Sequence, residues 1–273
     1  MSTDSEMLTS PPLQPFPGNQ NTLTSDFSLS DKVARVSGAG RGLSLTVTEA
    51  LLEAGAKVYA LDHPKEPRAK DLGTELPYRC VAVRDTDLLY TVIEDIANHE
   101  RRIDGLVAAA AIQQEMSAPD YSAENSNALL EVNVTGVFMT AQAVARQMIR
   151  FGNGGSIVLV ASMSGTIANR RLGCPVYNTS KAAVIQLARN LAAEWGQYSI
   201  RVNSLSPGYT LTSMLEMLFI EYPERREQFA KEIMLGRLSY PKEYRGAAVF
   251  LLSNASSFMT GSDLRIDGGH AAW

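Results

Sequence analysis

The chain has 273 residues, 45% of them hydrophobic and 20% charged. That is enough to bury a sizeable core, and the usage excludes disorder, a collagen-like repeat and a disulfide scaffold. A formal net charge of −4 supplies no basic field to hold nucleic acid or an anionic membrane.

Residues 1–28 carry four prolines, many Ser, Thr and Asn, and no Lys or Arg. This composition predicts a flexible tail ahead of one folded domain over residues 29–273. The opening has no basic stretch followed by an apolar one, so no secretory leader is read there and a cytoplasmic setting is expected. The longest apolar runs, at 106–112, 157–161 and 247–252, fall short of the ~20 residues a membrane span needs.

From Lys32 onward, short apolar or β-branched runs alternate with helical periods. Strands are predicted over 33–37, 57–61, 79–83, 105–111, 156–161, 200–205 and 263–266, and helices over 42–54, 88–99, 123–150, 176–195, 224–235 and 241–252. One helix between successive strands requires crossovers, which are right-handed. The expected fold is α/β, a doubly wound seven-stranded parallel sheet with helices on both faces. Residues 209–235 break this rhythm and read as an inserted helical flap. Two cysteines, Cys80 and Cys174, and three histidines, His63, His99 and His270, show no metal-ligand spacing. No metal site is expected, and both cysteines read as buried hydrophobes.

The first strand runs into Ser37-Gly38-Ala39-Gly40-Arg41-Gly42-Leu43-Ser44, and a helix follows. Glycines there let the backbone turn tightly and approach a pyrophosphate, with N–H groups of the helix start facing the anion. The bland reading is an ordinary glycine-rich turn. Its placement between a strand and a helix in the first βαβ unit favours a dinucleotide loop. Asp62 ends the second strand, 24 residues after Gly38. A carboxylate there accepts from ribose hydroxyls and repels a 2′-phosphate, which leans the reading to NAD. Arg41 pulls towards NADP, because a guanidinium in the loop can hold that phosphate.

Tyr177 and Lys181 are four apart in Tyr177-Asn178-Thr179-Ser180-Lys181 and share a helix face. A nearby ammonium favours phenolate and would draw the tyrosine pKa down, making it a proton donor or acceptor. Such a pair is common by chance, but Ser162 follows the apolar run 157–161 at the carboxyl end of a strand, where α/β sheets place their sites. Asn133 lies within a predicted helix, a poor place for asparagine by propensity.

Together these pieces resemble the short-chain dehydrogenase/reductase superfamily, over residues 31–273. The carriers are the SGAGRGLS loop, Asp62, the VNVTGVF run, the strand ending at Ser162, YNTSK, the Arg201–Gly208 segment and the TGSDLRIDGG ending. Residues 161–169 are similar to fungal polyol dehydrogenases and ketose reductases. The resemblance implies a Rossmann-type fold and an NAD(P)-dependent oxidoreductase interconverting a secondary alcohol and a ketone, either a polyol/ketose pair or a bulkier carbonyl. The alternative is the same fold repurposed for a redox-neutral biosynthetic step or a cofactor-binding regulatory role.

Tyr177 would be the acid/base and Lys181 would lower its pKa and hold the nicotinamide ribose. Ser162 would bind the substrate oxygen, with Ser164 its rival, and Asn133 would hold a relay water. Ser37, Gly38, Gly40, Arg41, Gly42, Leu43, Asp62, Asp85, Ala109, Ala110, Pro207, Gly208, Thr210 and Thr212 would complete the cofactor site. A homotetramer, or a homodimer, through the long helices is expected. Three positions depart from the family pattern: Ala108–Ala111 replace its asparagine-rich turn, Arg84-Asp85 replace Asp-Val, and Ser44 replaces a third glycine.

Overall fold

The protein is described from a computed structural model, over residues 22–63 and 76–273. Most of the predicted tail lies outside the described residues. Its end does not: Leu23–Asp26 form a helical turn (α1) capped by the Thr22 hydroxyl. Phe27 packs beside Phe250, ring centroids 6.2 Å apart, and Leu29 is buried in the core.

Seven strands form one parallel sheet in the order β3-β2-β1-β4-β5-β6-β7. They are β1 Val33–Ser37, β2 Lys57–Asp62, β3 Tyr78–Cys80, β4 Gly105–Ala108, β5 Gly155–Val160, β6 Ile200–Pro207 and β7 Asp263–Ile266. β4 is apolar throughout, and its neighbours β1 and β5 are mostly so, because helices cover both faces. On one face α3 Thr86–Glu100, α5 Val137–Phe151 and α6 Pro175–Trp195 pack through Ile93, Val144 and Val184; on the other, α2 Gly42–Glu53 and α9 Arg245–Leu252 pack through Val47, Leu51 and Leu251. This is the doubly wound, Rossmann-type arrangement expected from the sequence.

The boundaries differ from expectation where side chains intervene. β4 stops at Ala108, three residues early, because the Ser37 hydroxyl accepts from Ala109 N and Ala110 N at 3.2 and 3.4 Å. α3 begins at Thr86 because Asp85 caps it, accepting from Leu88 N at 3.1 Å. The long helix predicted over 123–150 is α4 Ala123–Leu130 and α5, joined by a π-helical stretch at Glu131–Gly136. That continuous run of 29 residues is long and apolar enough to cross a membrane, and half of its apolar window is buried within the fold. No predicted apolar run had this length, because scattered polar residues dilute it. The flap holds two helices, α7 Ser213–Glu221 and α8 Glu224–Lys231. They are separated at Pro223, which cannot donate to a continuing ladder.

Candidate functional site

The chain order of the sheet reverses between β1 and β4, and a cleft opens at the carboxyl ends of these strands, where α/β sheets hold ligands. Ser37 and Ala108 pair in register at this point. The cleft has two contiguous halves of about 450 and 440 Å³, which share Leu43, Ala109, Ala111 and Thr212.

The first half is lined by Gly38, Arg41, Gly42, Leu43, Asp62 and Ala110. No side chain caps the start of α2, so the N–H groups of its first turn have no internal partner and face the cleft. Gly38 has φ +70°, and a Cβ there would sit 2.9 Å from Ala110 Cα and N. Only glycine lets the loop lie against the β4 turn in this way. Asp62 braces the loop, accepting from Gly40 N at 2.7 Å through Oδ2 and from His63 N at 2.7 Å through Oδ1. Ser44 is buried, and its hydroxyl donates to Gly38 O and lies 3.2 Å from Arg41 O. The third-glycine position is therefore filled by a group that ties the loop closed. Uncapped N–H groups, a glycine turn and a carboxylate at the end of β2 form a donor and acceptor set that fits a dinucleotide.

The second half contains Ser162, Tyr177, Lys181, Pro207, Gly208 and Thr210. Ser162 closes β5 and caps the following turn, its Oγ accepting from Ser164 N at 3.2 Å. Gly165 lets this turn pack on α6, since a Cβ there would lie 2.7 Å from Lys181 C. Lys181 is buried; its Nζ donates to Val160 O at 2.9 Å and lies 5.7 Å from the Tyr177 ring centroid.

Burial pushes the Tyr177 phenol up to about 12, and the neighbouring Ser162 hydroxyl opposes the rise. Burial also lowers Lys181 to about 8. This reverses the expected depression of Tyr177: desolvation outweighs the ammonium, which is itself disfavoured in the same enclosure. The arrangement holds a protonated phenol against a serine hydroxyl at the end of an open cleft, which is a proton donor ready for an oxygen.

Four predicted residues lie off the cleft walls. Ser37 and Gly40 brace the loop as described. Asp85 is taken by the α3 cap, and Arg84 lines the cleft in its place while paired with Glu131 at 2.8 Å. Asn133 is fully buried, and both amide protons are committed, to Ile112 O at 2.9 Å and Ser180 Oγ at 3.1 Å. The side chain thus has no donor left for a relay water.

Thr210 donates to Gly208 O at 3.0 Å beside Tyr244 OH, and Thr212 bridges both halves. Arg170 lines a separate cavity with Glu232, His270 and Trp273. Cys80 is exposed rather than buried, because it ends a short strand at the sheet edge. Among the described residues no cluster of potential metal ligands occurs.

The sequence reading missed Gln113, Glu115, Asn169 and Cys174 on the cavity wall. Asn169 Nδ2 donates to Tyr209 OH at 3.1 Å, and Asn178 Nδ2 to Asn169 Oδ1 at 3.0 Å. Burial pushes the Cys174 thiol up to about 11. The two asparagines lie within the YNTSK helix and its leading loop, which was the available signal.

A family model described as "Enoyl-(Acyl carrier protein) reductase" matches residues 38–271. The chain is 40% identical over 262 residues to the "Short chain dehydrogenases/reductase notP'" of Aspergillus versicolor, covering 90% of this chain and 89% of that protein. It is 35% identical to a ribulose-forming D-arabinitol 2-dehydrogenase of Candida albicans, covering 93% and 97%. The fold is similar to the crystal structure of a gluconate 5-dehydrogenase from Burkholderia cenocepacia in complex with NADP and tartrate. That likeness has a TM-score of 0.85 and 32% identity, and covers 92% of this chain and 99% of that one.

Proposed function

This chain belongs to the short-chain dehydrogenase/reductase family, and on that premise we propose that it interconverts a secondary alcohol and a ketone with NAD(P). The observation that carries the reading is the placement of Ser162, Tyr177 and Lys181 at one end of a cleft whose other end is the braced glycine loop. The bound dinucleotide supplies or accepts the hydride. The first turn of α2 binds its phosphates, and Asp62 takes ribose hydroxyls, which supports NAD over NADP.

Ser162 Oγ orients the substrate oxygen. Tyr177 OH delivers its proton to that oxygen in reduction and recovers it in oxidation. Lys181, held by Val160 O, keeps a cation within 5.7 Å of the Tyr177 ring centroid, so phenolate is stabilised at the moment it forms.

Polar lining by Gln113, Asn169 and Tyr209 together with apolar lining by Leu215, Met217 and Leu218 supports a polyol/ketose pair or a ketone with an apolar arm. A cytoplasmic setting and assembly into a homotetramer or homodimer through α5 and α6 belong to the same proposal, and light scattering tests the assembly. The function is tested by calorimetric titration with NADH and, separately, NADPH, followed by turnover on polyols and ketones. Failure to bind either dinucleotide overturns it. Tight binding without hydride transfer to any carbonyl favours the redox-neutral alternative.

A further inference from the structure

The substrate half of the cleft has a lopsided charge inventory. Its charged lining residues are Glu115, Glu221 and Lys181. Lys181 is committed to Val160 O beneath Tyr177. A second cation, Arg225 on α8, is turned onto the cavity wall through Glu115. Its guanidinium forks onto that carboxylate, Nη1 to Oε2 at 2.7 Å and Nη2 to Oε1 at 3.0 Å. The same guanidinium stacks over the Tyr222 ring at 4.2 Å. The pair is partly enclosed, with side chains 19% and 34% exposed, and it fastens the flap to the segment after β4.

A bidentate pair uses the donor fork that would otherwise receive a carboxylate. A carboxylate-bearing substrate would therefore shed its hydration beside Glu115 and Glu221 and find no unshared cation. An unpaired buried charge is costly. An uncharged polyhydroxylated chain meets neutral partners instead: Gln113, Asn169 and the Tyr209 hydroxyl.

We propose that the Glu115–Arg225 pair is a charge filter that makes this pocket select uncharged alcohols and ketones and refuse carboxylates of the same carbon skeleton. It rests on the redox reading above and narrows it to a substrate class. The filter works by repulsion and by denied pairing as much as by attraction.

The test uses the full-length enzyme with its preferred dinucleotide and two matched pairs: D-glucitol against D-gluconate, and L-sorbose against 5-keto-D-gluconate. The wild type should favour the neutral member by roughly 100-fold or more in kcat/KM. Glu115→Gln releases Arg225, and the acid-to-neutral ratio should rise roughly tenfold or more. Arg225→Gln breaks the same fastening but leaves the carboxylate, so the ratio should stay or fall.

Equal changes of the ratio in both variants would make the pair a mechanical fastening only and overturn the filter. Parity between acid and neutral substrates in the wild type overturns it too. If no member of either pair is turned over, the redox reading fails on this panel. The filter is then read by calorimetry with tartrate against threitol. Binding of threitol alone supports the filter; binding of tartrate, or of neither, overturns it.

Discussion

The side-chain amide of Asn133 clasps the backbone of Ile112 in both directions. Its Nδ2 donates to Ile112 O and its Oδ1 accepts from Ile112 N, each at 2.9 Å. The segment leaving β4 is thereby paired as a strand would pair it, by a residue 21 positions later. Asn133→Ala leaves the N–H and C=O of Ile112 without these partners at a part-buried site. The expected loss is about 1–2 kcal/mol in urea unfolding, with weaker dinucleotide binding. An unchanged urea midpoint would refute the role of the clasp.

Tyr177→Phe keeps the ring and removes the proton. Turnover should fall by roughly 1,000-fold, within the range assigned to general acid–base groups. NADH affinity, measured by calorimetry, should change little, because the dinucleotide loop is untouched. Substantial residual turnover would remove Tyr177 from the chemistry.

Burial lowers Lys181 from 10.5 to about 8. Between pH 8 and 9 the folded chain releases this proton while the unfolded chain keeps it. The unfolded state then binds more protons, and stability rises with pH, by at most about 1.4 kcal/mol per unit. Arg35, lowered to about 9, acts in the same direction at higher pH. Tyr177, raised to about 12 from 10.0, acts oppositely, but only above pH 10. Urea midpoints of the dinucleotide-free protein at pH 8 and 9 should therefore rise, and Lys181→Met should flatten that rise.

Arg35 sits in the middle of β1, fully buried, with all three guanidinium nitrogens unpartnered and the Tyr59 ring 5.5 Å away. It touches neither half of the cleft. Arg35→Met should raise stability by about 1–3 kcal/mol, because it removes a buried cation whose nitrogens make no hydrogen bond, while kcat/KM stays within about twofold, as expected for a site apart from the cleft. A lower midpoint would mean that the guanidinium has a stabilising role.

Asp62 both lines the glycine-loop half of the cleft and holds Gly40 N, and in the proposed reading it meets the adenosine ribose. Asp62→Ser removes the negative charge opposite a 2′-phosphate. The NADPH-to-NADH preference should shift roughly tenfold or more towards NADPH, at some loss of total affinity from the loosened loop. A loss of affinity equal for both dinucleotides would leave Asp62 a purely structural brace.

The alternation of strand and helix, the glycine loop and the Tyr177/Lys181 pair were all legible in sequence, because each follows from local period and spacing. What escaped depends on contacts between distant segments. Asp85 looks the same in sequence whether it meets a ligand or caps α3, and only the start of the helix decides. Glu115 and Arg225 are 110 residues apart and have no pattern in common. The direction of the Tyr177 shift was misread because spacing reveals the neighbouring charge but not the depth at which both groups are enclosed. Residues 108–111 lack the family's asparagines, and the tie at this strand end comes instead from Ser37 on the neighbouring β1.

The π-helical stretch at Glu131–Gly136 holds one residue in reserve. A π turn carries an extra residue relative to an α turn. Deleting one residue from 131–136 would let the helix relax to ordinary winding while α4 and α5 keep their facing. The same deletion within α5 would rotate everything beyond the cut by about 100°, the α-helical turn per residue, and turn its apolar face from the sheet. What the shortened π stretch would lose is local: the placement of Asn133 against Ile112.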